Sequence, residues 1–168
     1  MTSRWMKALA APVLVGVFGL FATPAAAQSF TLTANLSGAG EGNPTTNGVN
    51  TGAFGDATIV VNLTARTLTY TVRVFNLPSG ITASHIHVGA DGAGNGPVVV
   101  GFTVPTTASN DFSFTGSVAD TAFILSPDKG IRSADDMFQA ILGNNSYVNV
   151  HSAVNPGGEI RGQLILKP

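Results

Sequence analysis

The chain has 168 residues, no cysteine, and 8 Lys+Arg against 9 Asp+Glu. The absence of cysteine excludes disulfides, thiolate chemistry and cysteine-based metal sites, so any metal needs imidazole, carboxylate, amide or thioether ligands. Near-balanced charge leaves no basic patch of the kind that nucleic acids or anionic membranes require as partners.

Residues 1–27 read as a secretory signal peptide. Arg4 and Lys7 form a positive start, a nearly uninterrupted apolar run follows, and Ala25-Ala26-Ala27 fits a small-residue cleavage site. The competing reading is a membrane anchor, but the run is short for the roughly 20 residues of a spanning helix, and Pro12, Thr23 and Pro24 break it. The expectation is therefore export to the periplasm or outside, with a mature domain of residues 28–168 that contains no membrane span. Loss of Arg4 and Lys7 takes the 8 basic residues to 6 against 9 acidic ones, a formal charge of −3.

Residues 30–36 alternate apolar and polar side chains, as a half-buried strand should. Residues 37–52 are rich in Gly, Asn, Thr and Pro, with Glu41 as the single charge, and are expected to form a bland connecting loop. Ala57, Ile59, Val61 and Leu63 then share one face of a strand, and Leu68, Tyr70, Val72 and Val74 one face of the next; the short link through Arg66 suits an antiparallel hairpin. Apolar faces of this kind need a second layer, which predicts an antiparallel β-sandwich. Two further strands are expected over residues 97–104 and 111–118. Ser133, Asp136 and the Met137, Phe138, Ile141 stripe predict one short helix over residues 133–142, stopped by Gly143.

All three histidines fall in two β-type runs, Ser84-His85-Ile86-His87-Val88 and Tyr147-Val148-Asn149-Val150-His151. Strand alternation puts His85 and His87 on one side and Ile86 and Val88 on the other. If residues 152–158 form a hairpin loop, His151 comes opposite Glu159, Asn149 opposite Arg161 and Tyr147 opposite Gln163, giving a polar row backed by Val148, Val150, Ile160 and Gly162. The first run, with the glycine-rich residues 89–96 behind it, and the second, ending in Pro156-Gly157-Gly158-Glu159-Ile160-Arg161-Gly162-Gln163, resemble the two signature blocks of the CHRD (chordin-type) domain. The resemblance spans about residues 30–166 and implies an all-β sandwich of the Ig-like or Greek-key type. It also implies an extracellular protein or matrix partner, and no particular catalytic activity.

An i, i+2 histidine pair with a third imidazole from a neighbouring strand is a ligand set suited to copper, or alternatively zinc. The expected metal ligands are His85, His87 and His151. Glu159 is a candidate fourth ligand or imidazole N–H acceptor, and Asn149, Arg161 and Tyr147 are candidates for orienting ligands or binding an anion. The competing expectation is a metal-free interaction domain whose histidines clamp two strands; redox enzymology at the metal ranks third. No serine nucleophile in a supporting motif appears, which argues against acyl transfer.

Overall fold

The computed structural model describes residues 28–42, 47–89, 94–106 and 108–168. The expected leader lies outside them, as does part of the glycine-rich turn after β4. Nine strands and one α-helix are present among the described residues: β1 Ser29–Ser37, β2 Phe54–Asn62, β3 Thr67–Leu77, β4 Ile81–Val88, β5 Val98–Gly101, β6 Asn110–Ala119, α1 Ala134–Leu142, β7 Ser146–Ser152, β8 Ile160–Gln163 and β9 Ile165–Leu166. No helix among them is long and apolar enough to cross a membrane.

The predicted β2–β3 hairpin forms with Ala57 opposite Val72 and Ile59 opposite Tyr70. Alternation then buries Leu32, Ala34 and Leu36 of β1 with the inward residues of β2 and β3. Arg66 takes a positive φ of 55° in the turn, and its side chain hydrogen-bonds Asp120 and Asp135. That bond draws the start of α1 to the hairpin's end of the molecule, where Met137, Phe138 and Ile141 are buried. Ser133 caps α1 by accepting from the Asp136 N–H at 3.1 Å. The helix stop differs in detail from the expectation: Gly143 has φ −80°, and Asn144 adopts the left-handed conformation at φ 58°.

All-β architecture stands, but division into two sandwich sheets is not what the strand pairing gives. Hydrogen bonding runs as one path, β5-β4-β7-β8-β1-β2-β3-β6, with β9 also on β1. The sheet curls into a nearly closed, barrel-like form. Phe102, just past β5 at one end of the path, stacks on Tyr70 of β3 at 4.0 Å, and the Thr103 N–H donates to the Tyr70 hydroxyl at 3.0 Å. Sheet twist allows a single layer to face itself and enclose the core that two layers would otherwise share.

Candidate metal centre

Strands β4, β7 and β8 lie side by side, and their register builds the site. His87 pairs with Tyr147 and Tyr147 with Gln163; His85 pairs with Asn149 and Asn149 with Arg161. Ile86, Val148, Val150 and Ile160 are buried in the core on the barrel's inner side, so the histidine row faces outward. That row is nevertheless roofed by loops. Tyr147 and Arg161 are wholly buried and Asn149 is 2% exposed, so the expected polar face is a second, polar layer beneath the loops.

His151 lies diagonally across from His85, because Ala83 occupies the position opposite it. Ring centroids are 5.1 Å apart for His85–His151, 5.8 Å for His85–His87 and 6.5 Å for His87–His151. One nitrogen from each ring lies within 4.8 Å of one from each of the others. Metal–nitrogen bonds of about 2.0–2.1 Å require nitrogens roughly 3.3–3.6 Å apart, so small ring rotations would complete a three-imidazole set.

Protonation is prepared for this. The Gly96 carbonyl lies 2.9 Å from His87 Nδ1, and the Pro156 carbonyl lies 2.9 Å from His151 Nδ1. A carbonyl only accepts, so both rings carry the proton on Nδ1 and turn a lone pair outward on Nε2. His87 Nε2 and His151 Nε2 are buried without a hydrogen-bond partner, and so is His85 Nδ1. Burial lowers the His87 pKa to about 4, the Gly96 carbonyl only partly opposing it, and burial followed by the charge of His151 lowers that of His85. Both rings are therefore neutral at pH 7, the state in which imidazole binds metal.

The remaining predicted residues surround the trio rather than entering it. Tyr147 stacks on His87 with ring centroids 4.8 Å apart and planes 4° apart, and the Arg161 guanidinium lies 3.6 Å from the Tyr147 ring centroid. The Gly96 N–H donates to the Tyr147 hydroxyl at 2.9 Å. The Glu159 carboxylate accepts from Ser152 and Asn155, each at 2.6 Å, and the hydrogen bonds it makes point away from the histidines.

Glu41 is the residue that sequence reasoning passed over. A short 3₁₀ turn over Ala39–Glu41 packs against β8 and carries this carboxylate into the polar layer, where the Asn149 amide donates to it at 3.5 Å. Burial pushes its pKa up to about 7 despite the opposing pulls of Arg161 and Asn149. Gly158 makes the approach possible: its φ is +138°, and a Cβ there would fall 2.6 Å from both Glu41 carboxylate oxygens. A lone acid in a glycine-rich loop was the available signal.

A family model described as the CHRD domain matches residues 32–164. No curated protein and no solved structure matches the chain.

Proposed function

The chain belongs to the CHRD domain family, and from that membership and the three-imidazole geometry we propose that it is an exported binding module holding one transition-metal ion, copper before zinc, on His85, His87 and His151. The observation that carries this reading is the convergence of three imidazoles whose buried ring nitrogens lack partners while carbonyls hold the opposite nitrogens of two. Three neutral imidazoles suit both metals, and the general order of affinities favours copper(II). The charged run at residues 4–7 and the apolar stretch behind it support export with cleavage after residue 27.

A second reading has its own observation. The bonds from His87 to Gly96 and from His151 to Pro156 also pin two loops, as a metal-free interaction domain with a histidine clamp would need. His85 separates the two readings, because its buried Nδ1 pins nothing. Metal content and copper binding are to be measured on the untagged mature protein, the His85→Ala variant and the His85→Ala/His87→Ala double variant. Stoichiometric metal in the wild type that His85→Ala loses, with little change in unfolding midpoint, is the expected result. A wild type left empty after loading and dialysis would overturn the metal reading in favour of the clamp.

A further inference from the structure

We propose that a second site, the cavity of about 330 Å³ between Glu41, Asn95, Asn155, Val49 and the 156–158 turn, binds the ammonium group of a primary amine. Three observations converge on that chemistry. Glu41 is the only charged residue lining the cavity. Its Oε1 is buried with no hydrogen-bond partner, and so is Oδ1 of Asn149, whose amide nitrogen is already directed at Glu41 Oε2. Unpaired acceptor oxygens call for a donor, and a desolvated carboxylate calls for a positively charged one.

Charge and size decide between cations. Glu41, Glu159 and Arg161 share this polar layer and together carry one net negative charge when both acids are ionised, which a single monovalent cation balances. A calcium ion wants six to eight oxygens, usually with several carboxylates, whereas one carboxylate faces this space. The volume is also far larger than a bare ion needs and falls at the lower end of the range for small organic ligands. An ammonium has three donors and no acceptor, matching a lining rich in carboxylate, amide and carbonyl oxygen. It could come from a free amine or from a lysine side chain on a partner protein.

The test titrates butylammonium, the peptide acetyl-Gly-Lys-Gly-amide, and 1-butanol as a neutral control into the mature chain, followed by calorimetry and amide NMR shifts. Saturable 1:1 binding of butylammonium is expected, weakened at least about tenfold by Glu41→Gln and unchanged in the His85→Ala/His87→Ala variant, so that its success does not depend on the metal centre. Gly157→Lys gives a second, fold-neutral probe, since a Cβ there meets nothing within 4 Å; its charge at the rim should also weaken binding. Tighter binding of the peptide than of butylammonium would assign a protein-borne lysine, and equal binding a free amine. Equal affinity for butanol, or undiminished binding in both variants, would overturn the proposal.

Discussion

At the scale of single residues the site depends on which nitrogen of each imidazole holds the proton. Because the Gly96 carbonyl can only accept, His87 must keep Nδ1–H, and its Nε2 lone pair is left in a buried position without a partner. Burial makes charging this ring unfavourable, and the nearby charges of His85, His151 and Arg161 act in the same direction. In the metal-free protein, nitrogen-resolved NMR should show His87 as the Nδ1–H tautomer, with a titration midpoint about 4 and not the ordinary 6.5. An Nε2–H tautomer, or a midpoint near 6.5, would mean that the Gly96 bond does not set the ring. Zinc loading at pH 7 should then release no proton from His87 or His85, since both are already neutral.

Among the elements, the strap of residues 94–97 fastens the first histidine strand. Gly96 accepts from His87, donates to Tyr147, and lies so close to β4 that an added Cβ would fall on the Val88 carbonyl oxygen. Gly96→Ala should therefore cost about 2–4 kcal/mol through overpacking and a lost hydrogen bond, and weaken metal binding along with it. Gly157→Ala, whose Cβ would meet open space, should stay within about 0.5 kcal/mol; urea unfolding of the two variants makes the comparison. Local periodicity made most elements legible in the sequence. Alternation marked β1, β2, β3 and both histidine strands; the Ser133 cap and the Met137, Phe138, Ile141 stripe marked α1; and polar pairs such as Asn149–Arg161 marked the final hairpin's register. What stayed hidden depends on contacts distant in the chain. Nothing within residues 37–52 indicates that Glu41 will meet Asn149, 108 positions later. Curling of one sheet, in place of two stacked ones, likewise follows from the β4–β7 and β1–β8 pairings and from Phe102 reaching Tyr70.

For the molecule as a whole, the polar layer sets two opposed pH dependences against each other. Glu41 has a folded pKa of about 7 against an ordinary 4.5, so between these values the native state holds more protons than the unfolded chain, and stability falls as pH rises. His87 has a folded pKa of about 4 against 6.5, so across its window the native state holds fewer protons, and stability rises with pH. Where the windows overlap, from pH 4.5 to 6.5, folding in effect moves a proton from His87 to Glu41 without net uptake or release. The metal-free wild type should thus show a nearly flat unfolding free energy across that interval. Glu41→Gln removes one slope and leaves the other: the variant should lose on the order of 1–2 kcal/mol between pH 6.5 and pH 5, allowing for screening by solvent. His87→Asn should tilt the opposite way and gain stability relative to pH 6.5 as the pH falls. Urea unfolding at half-unit pH steps measures all three. Parallel curves for the wild type and Glu41→Gln would show that Glu41 is not the group carrying the compensating proton.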